Sequence, residues 1–483
     1  MGVCSQLEPS RVFAIFEEIS KIPHGSGNTK LISDYCVAFA KEHHLKWIQD
    51  ENNNVVIFKD GSKGYEKSEP MILQGHMDMV CEKESQVEID FEKDGLNLYV
   101  DGDFLKAEGT TLGGDDGIAV AYMLAILEDG TLPHPPLEAV FTVDEEIGLL
   151  GAQSIDLSML KGKKLLNIDS DEEGIFLTSC AGGLQADCQI PVSWIQEEGS
   201  LYEIKVAGLQ GGHSGSEIHK ERGNAVMLLG RVLYEIHQTL PFSLTALFGG
   251  LKDNAIPREA TAAILLPKET KSQELIDKIE ILNQVLKHEY QGSDPGVQVC
   301  CNSLGEKSVK ALDAPSLIKA LFMLRTMPWG VQHMSSDIDG LVETSLNPGI
   351  LKLEEDACLL CFSVRSSVTS RKYELTGQLI FITEFLGGEV VVKGDYPAWE
   401  YQANSPMREL MAETYRDLFQ EEPKLQAIHA GLECGIFSGK IEGLDCISFG
   451  PNNYDIHTPK ERLSISSTQK VWKLILEFLK RSK

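Results

Sequence analysis

Two kinds of hydrophobic periodicity alternate along the first part of the chain, up to about residue 185. Apolar residues recur at helical spacing in RVFAIFEEISKI and in LISDYCVAFAKEHHL, whereas NNVVIFKD has the pattern of a strand. The segment GIAVAYMLAILEDG is apolar up to its last three residues and predicts a buried helix. An alternation of helices and strands is typical of a layered α/β domain.

The pattern changes from about residue 187 onward. Longer β-like segments, such as CLLCFSVRSS, then alternate with helical stretches such as GNAVMLLGRVLYEIHQTL. After residue 398 the first pattern returns and ends in a last helical segment. We therefore predict one α/β domain formed by residues 1–186 and 399–483, interrupted by an inserted α+β domain at residues 187–398. A length of 483 residues also favours two domains over one.

Composition narrows the class of protein. Acidic residues outnumber basic ones by 72 to 44, a net charge of −28, which argues against a nucleic-acid partner. The N-terminus has no secretory signal, Gln6 stands where a myristoylation motif requires Ser or Thr, and no apolar stretch approaches membrane-spanning length. The eleven scattered cysteines, including the apolar pair Cys358 and Cys361, are typical of free thiols in a reducing cytosol. We expect a cytoplasmic protein without a membrane partner.

Clusters of His, Asp or Glu follow short, strand-like apolar runs at five places. They are His76-Met77-Asp78 after MILQG, Asp115-Asp116 in TTLGGDDG, Asp144-Glu145-Glu146 after LEAVFTV, Asp169 after LLNI, and His457 in GPNNYDIHTP. One such cluster alone could be the start of a solvated loop. Ligands, however, bind at the carboxyl ends of strands in an open α/β sheet, where the loops converge. Five clusters together therefore predict a site with two metal ions, in an enzyme that activates water.

The residue types suit such a centre. A hydrolytic pair of cations lies about 3.5–4 Å apart and shares a bridging carboxylate, and His and carboxylate ligands suit zinc. His76 supplies an imidazole, and the carboxylate of Asp78 can accept its other ring N–H. The adjacent pair Glu145 and Glu146 suits a division into one metal ligand and one proton acceptor for the water.

Three further positions allow two interpretations each. Asp115 is either a metal ligand or a helix N-cap, and Asp116 could equally be the N-cap. His213 lies in a Gly-rich loop of the inserted domain and could stabilise an oxyanion, although an incidental His in a glycine turn is equally compatible and His219 could compete for the role. Arg365 could hold a substrate carboxylate with two hydrogen bonds or form a surface salt bridge.

In this order, these residues resemble the aminoacyl-histidine dipeptidases (Xaa-His dipeptidases, peptidase D), a branch of the co-catalytic di-zinc metallopeptidases that also include carnosinases, aminoacylases and glutamate carboxypeptidases. The resemblance extends over nearly the whole chain. It is carried by SKIPHGSGN, LQGHMDMV, LKAEGTTLGGDDGIAVA, VDEEIGLLGA, NIDSDEEG, LQGGHSGSEIHKERGNA, VRSS, HAGLECGIF and SFGPNNYDIHTPKERL. The GTTLGGDDG and GGHSG segments resemble the dipeptidase branch in particular.

The resemblance implies a set of ligands for the two metal ions. His76 and Asp169 would bind one ion, Glu146 and His457 the other, and Asp115 would bridge them. Zinc is the expected metal, with manganese or cobalt as alternatives. The chain departs from the family at Asp116, where Asn is expected, and this adds a negative charge beside the bridge.

The resemblance also implies roles for the remaining residues. Glu145 would be the general base and Asp78 the carboxylate that orients a ligand. His213 would polarise the scissile carbonyl, Arg365 would anchor the C-terminal carboxylate of the substrate, and Glu433 would face the active site as a substrate-binding residue.

Fold and activity follow from the same resemblance. We expect a zinc-peptidase-like α/β catalytic domain, a mixed sheet flanked by helices, with an inserted α+β lid domain that mediates homodimerisation. The expected reaction is hydrolysis of Xaa-His dipeptides such as β-Ala-His, with a broader range of dipeptides. One alternative is an aminoacylase or carboxypeptidase of the same fold. A non-catalytic metal-binding or assembly protein is a second alternative, against which the intact Glu145 beside a full ligand set argues.

Overall fold

The computed structural model describes residues 2–483. Its helices are α1 Ser10–Ile19, α2 Lys30–Glu42, α3 Gly114–Glu128, α4 Leu150–Ser154, α5 Ala225–His237, α6 Ser272–Glu289, α7 Ala314–Thr326, α8 Thr369–Phe385, α9 Pro406–Phe419, α10 Glu433–Lys440 and α11 Ile465–Arg481, with a short 3₁₀ helix at Ile218–Lys220. In this described range, no helix is long and apolar enough to cross a membrane.

The strands are β1 Lys46–Gln49, β2 Val55–Lys59, β3 Met71–His76, β4 Leu98–Asp101, β5 Phe104–Ala107, β6 Leu137–Thr142, β7 Lys164–Asn167, β8 Ile175–Cys180, β9 Gly182–Pro191, β10 Trp194–Ala207, β11 Gly212–His213, β12 Ser243–Gly249, β13 Ala255–Ile256, β14 Ala260–Leu266, β15 Gln298–Leu312, β16 Gly330–Met334, β17 Val342–Leu353, β18 Ala357–Ser366, β19 Glu389–Tyr396, β20 Lys424–Ile428, β21 Asp445–Ser448, β22 Asn453–Tyr454 and β23 Arg462–Ser464.

The chain forms two compact units. The first unit holds the described residues up to Cys180 together with Tyr401–Ala427 and Leu432–Lys483. The second unit holds Ala181–Glu400 and the short segment Ile428–Gly431. The sequence-based boundary after residue 186 falls inside β9, which begins at Gly182 and already pairs with β18 of the second unit. The return of residues 428–431 to the second unit was not predicted.

An eight-stranded mixed sheet forms the centre of the first unit, in the order β1-β2-β6-β3-β7-β21-β8-β20. The neighbours β6, β3, β7 and β21 run parallel. All six residues of β3 and of β6 are buried, as expected for parallel strands covered on both faces. Because parallel strands end at the same edge, the residues that follow β3, β6 and β7 come together there.

Helix α3 is buried on all sides, and its sequence accordingly lacks the amphipathic pattern of a surface helix. Apart from the partly exposed Asp115 and Glu128, its residues are buried, and it packs between α1 and β3. On its outer side Tyr122 stacks on Trp472 of α11, with ring centroids 5.9 Å apart, and donates a hydrogen bond to the main-chain oxygen of Thr468. A helix that is apolar all round is a buried helix, as its sequence predicted.

The second unit is built on a nine-stranded antiparallel sheet. Its order is β15-β10-β14-β12-β17-β18-β9-β19, with β16 paired to β17. Helix α5 begins at the N-cap Asn224, whose side chain accepts hydrogen bonds from the main-chain N–H groups of Val226 and Met227. Cys358 and Cys361 are buried in β18, and all eleven cysteines are free thiols.

Candidate metal centre

The five predicted clusters lie at one edge of the first unit's sheet or in loops beside it. His76 is the last residue of β3, Glu146 follows β6 in a short turn, and Asp169 lies two residues beyond β7. Asp115 lies in the first turn of α3, and His457 lies in the loop between β22 and β23. The order β6-β3-β7 places the three strand exits side by side.

Asp115 lies between two histidines. Its Oδ1 is 3.2 Å from Nε2 of His76, and its Oδ2 is 3.3 Å from Nε2 of His457. Asp169 adds an oxygen 3.7 Å from Nε2 of His76, and Glu146 adds one 2.9 Å from Nε2 of His457. The donor atoms thus form two groups that share one carboxylate, one oxygen to each group.

These separations fit bound cations. Ligand atoms about 2.1 Å from a tetrahedral metal ion lie roughly 3.4 Å apart, and the separations above range from 2.9 to 3.7 Å. Imidazole nitrogens and carboxylate oxygens are donors that zinc and related divalent ions accept. The residues present therefore fit two such ions.

Electrostatics favours positive charge at this edge. Burial raises the pKa of Glu145 to about 8, and repulsion from neighbouring carboxylates adds to the rise. Burial also raises the pKa of Asp169 well above its ordinary range. Hydrogen bonds to Asp115 and Glu146 raise the pKa of His457 to about 10. The cluster thus holds more carboxyl groups than its two imidazoles can keep ionised, and bound cations would favour their ionised forms.

Asp116 lies beside the two ligands His76 and Asp169. It is 2% exposed, and its Oδ2 accepts a hydrogen bond from the main-chain N–H of His76 at 3.1 Å. One ligand atom each from His76, Asp116 and Asp169 lie within 4.8 Å of one another. The backbone is non-helical at Asp115 and Asp116, and the Asp116 carboxylate accepts from His76 instead of from a main-chain N–H of α3, so it does not act as the helix cap.

Asp78 contacts two segments of the site. The main-chain oxygen of Asp78 is 2.9 Å from Nδ1 of His76, nearer than its carboxylate Oδ1 at 3.5 Å. The carboxylate accepts hydrogen bonds from the main-chain N–H groups of Glu145, at 3.0 Å, and Glu146, at 3.4 Å, and from the hydroxyl of Ser26, at 2.8 Å. Asp78 therefore orients the turn that carries both glutamates as well as the His76 ring.

His213 lies in the second unit with a defined tautomer. Its Nδ1 accepts hydrogen bonds from the main-chain N–H groups of Gly215, at 3.2 Å, and Ser216, at 3.1 Å. A nitrogen that accepts two N–H donors carries no proton, so the ring proton resides on Nε2. Burial lowers the pKa of His213, and the positive charge of Arg365 lowers it further. The side chain is therefore a neutral hydrogen-bond donor. The competing residue His219 is exposed.

Arg365 lies in the same unit and is 9% exposed, which excludes the surface salt bridge. It forms no ion pair within the described part of the chain. Nη1 donates to the hydroxyl of Tyr396 at 3.1 Å, and Nε has no hydrogen-bond partner among residues 2–483. A buried guanidinium with an unused donor is suited to an anionic ligand.

Glu433 is fully buried, with 0% exposure, beneath the ligands of the first unit. Its Oε2 accepts hydrogen bonds from the hydroxyl of Thr142, at 2.7 Å, and from Nε2 of Gln74, at 2.5 Å. Gln74 accepts in turn from Nδ2 of Asn167 at 2.6 Å. These three partners lie on adjacent strands, so Glu433 joins β6, β3 and β7 one layer below the strand exits. This burial does not favour the predicted contact with substrate.

Sequence reasoning assigned no role to Glu461, which lies four residues after His457. It is 3% exposed and accepts hydrogen bonds from the main chain just before Asp115. Glu461 is flanked by Lys460 and Arg462, a charged pattern typical of a solvated loop, so the local sequence did not indicate a buried residue.

Comparison with known proteins agrees with this description. The model of Peptidase family M20/M25/M40 matches residues 72–481. Cytosol non-specific dipeptidase from Escherichia coli (strain K12) is 36% identical over 482 residues, 99% of each chain. The structure of aminoacylhistidine dipeptidase from Vibrio alginolyticus matches with a TM-score of 0.91 and 32% identity, over 99% of this chain and 98% of that one. Aminopeptidase PepT from Bacillus cereus ATCC 10987, with a TM-score of 0.56 and 14% identity over 99% of each chain, shares the fold alone. These matches confirm the predicted fold class.

Proposed function

The chain belongs to peptidase family M20/M25/M40, and from that premise we propose that it is a metal-dependent dipeptidase that holds two divalent ions. The observation that carries this proposal is Asp115, whose two oxygens face two different histidines at 3.2 and 3.3 Å. Such a carboxylate suits a pair of ions about 3.5–4 Å apart. His76 and Asp169 would hold one ion, and Glu146 and His457 the other.

Two bound cations would polarise the scissile carbonyl and make a water molecule more acidic. Zinc is our proposal for both ions, since the donors are imidazoles and carboxylates. Manganese and cobalt accept the same donors.

Glu145 is the proposed general base. Burial raises its pKa to about 8 in the cluster without cations, and the positive charge of bound cations would lower that pKa. A base whose pKa lies near the working pH accepts a proton from the attacking water and returns it to the leaving amine. The Asp78 carboxylate holds the main chain of Glu145 in place at 3.0 Å.

Residues of the second unit would bind the rest of the substrate. His213 carries its proton on Nε2, so it is suited to donate to the carbonyl oxygen as negative charge develops there. Arg365, with its unused Nε donor, is suited to the C-terminal carboxylate of a dipeptide. A partner for the C-terminal carboxylate close to one for the scissile carbonyl would favour a short substrate with a free C-terminus.

The range of substrates is the finer part of the proposal. The similar protein from Vibrio alginolyticus is an aminoacylhistidine dipeptidase, and that from Escherichia coli is a non-specific dipeptidase. We propose hydrolysis of Xaa-His dipeptides within a broader dipeptide range.

Assembly and location are also proposed. Helix α8 exposes Phe381 (72%) and Phe385 (77%) one turn apart in the second unit, an apolar surface that supports a homodimer. Eleven free thiols and the cytosolic relative support a cytoplasmic location.

The test is hydrolysis of β-Ala-His, Gly-His, Leu-Leu, a tripeptide and an N-acetyl amino acid by metal-free protein to which zinc, manganese or cobalt is returned. Chelator-sensitive cleavage of free dipeptides alone is the expected result. Cleavage of the acylated amino acid or the tripeptide instead would keep the metal centre and replace the substrate class.

A further inference from the structure

The backbone segment Leu112–Asp115 leads into α3 and carries the shared ligand of the proposed centre. Its backbone is non-helical at Asp115 and Asp116, and Gly113, the N-cap of α3, has no side chain that could accept main-chain N–H groups. The first turn of a helix leaves such donors without internal partners. They need an acceptor from elsewhere in the fold.

Glu461 supplies that acceptor from a segment about 350 residues away in sequence. Its Oε2 accepts from the main-chain N–H groups of Leu112, at 2.7 Å, and Gly113, at 3.0 Å. Its Oε1 accepts from those of Gly114, at 2.8 Å, and Asp115, at 3.2 Å. One carboxylate thus binds four consecutive main-chain donors.

A fifth donor completes the environment of this carboxylate. Nδ2 of Asn453 lies 3.1 Å from Oε1 of Glu461. Burial raises the pKa of Glu461, and these five N–H groups oppose that rise, because they point at its two oxygens and offer no acceptor for a carboxyl proton. The same saturation leaves little room for a metal ion on Glu461 itself.

Glu461 connects the loop that carries His457 to the segment that carries Asp115. It follows His457 by four residues, and its own N–H donates to the main-chain oxygen of Thr458 at 3.1 Å. Its carboxylate holds the main chain of Asp115. The loop that carries one histidine of the centre is therefore tied to the segment that carries the shared carboxylate.

We infer that Glu461 is a positioning residue that holds the Asp115 carboxylate where it faces both histidines. The inference rests on the proposed two-metal function. Residues that orient metal ligands by hydrogen bonds typically contribute about 10- to 100-fold to metal affinity. Glu461→Gln replaces one oxygen by an NH₂ group that faces N–H donors, so the Asp115 segment must shift.

The experiment is a calorimetric titration of metal-free protein with Zn²⁺, together with the visible spectrum of the Co²⁺-loaded protein. Glu461→Gln should bind the ions about 10- to 100-fold more weakly and change the Co²⁺ spectrum. The matched control is Glu138→Gln. Glu138 is also buried and accepts hydrogen bonds from the main-chain N–H groups of Lys161 and Gly162, but it lies near the opposite end of β6. The Glu138→Gln variant should be less stable than the wild type but keep the wild-type affinity for metal ions and the wild-type Co²⁺ spectrum.

Wild-type affinity and spectrum in Glu461→Gln would overturn the inference. If that variant does not fold, Glu461→Asp decides the question, because it keeps the charge and moves it back by one methylene. The same loss of affinity is expected there, and wild-type affinity would overturn the inference. A wild-type protein that binds fewer than two ions would instead contradict the proposed function, which keeps the two failures distinct.

Discussion

Lowering the pH from 7 to 5 should destabilise the folded chain through His429. This residue of the second unit is 6% exposed, and its Nε2 lies 2.7 Å from the hydroxyl of Ser345. Burial, together with the positive charge of Arg365, lowers its pKa from 6.5 to about 3. The unfolded chain, in which the imidazole is solvated, keeps the ordinary value.

The sign and size of the effect follow from proton linkage. A histidine whose pKa is lowered on folding binds more protons in the unfolded chain, so its contribution is present above pH 6.5 and is lost as the pH falls toward the folded value. At pH 5 the protonated form of the unfolded imidazole outweighs the neutral form about 30-fold, while the folded one is still neutral. At about 1.4 kcal/mol per tenfold, the loss between pH 7 and pH 5 is about 2 kcal/mol.

The assay is denaturant unfolding of the wild type and of His429→Gln at pH 7, 6 and 5, followed by circular dichroism. A chelator in every buffer removes the pH dependence of metal binding. The free energy of unfolding of the wild type, minus that of the variant, should fall by about 2 kcal/mol over this range. His288→Gln, at an exposed histidine of α6, is the control and should give a constant difference. A constant difference for His429→Gln as well would refute the reasoning.

Three further predictions concern the proposed centre. Glu145→Gln should retain both metal ions, measured by elemental analysis, and lower kcat by about 10²- to 10⁴-fold, because only the proton acceptor is lost; turnover at the wild-type rate would exclude Glu145 as the base. Asp115→Ala should weaken the binding of both ions in a calorimetric titration, because each of its oxygens faces a different histidine; loss of one ion alone would contradict a bridging role. Arg365→Lys should raise KM for free dipeptides about 10- to 100-fold at similar kcat, and an equal effect on dipeptide amides would show that the carboxylate is not its partner.

The sequence predicted those parts of the molecule that local pattern determines. The apolar runs before His76 and Glu145 are buried parallel strands, and their side-by-side arrangement brings the following residues to one edge. The resemblance to the aminoacyl-histidine dipeptidases is confirmed by relatives that match 99% of the chain. The change in hydrophobic pattern predicted an inserted segment at residues 187–398, and the second unit holds Ala181–Glu400 together with Ile428–Gly431.

Features that depend on distant contacts were not predictable in this way. Glu433 follows small and apolar residues in HAGLECGIF and Glu461 lies among charged ones in PKERL, and both are buried by partners more than 280 residues away. Residues 428–431 join the second unit because the N–H of Ala181 bonds to the main-chain oxygens of Ile428 and Ala430. A main-chain pairing of this kind leaves no periodicity in the sequence.

The two buried glutamates, Glu433 and Glu461, affect the proposed centre through different hydrogen-bond donors. Glu433 accepts from side chains of β3 and β6, so it fixes these strands relative to one another, and neither of these two donors is a proposed metal ligand. Glu461 accepts from the main chain of Asp115 itself, so a shift of its carboxylate moves the shared ligand directly. Loss of Glu433 should therefore change stability more than metal affinity, and loss of Glu461 should do the reverse. This is a consequence of where each carboxylate finds its donors, since both are buried to nearly the same degree.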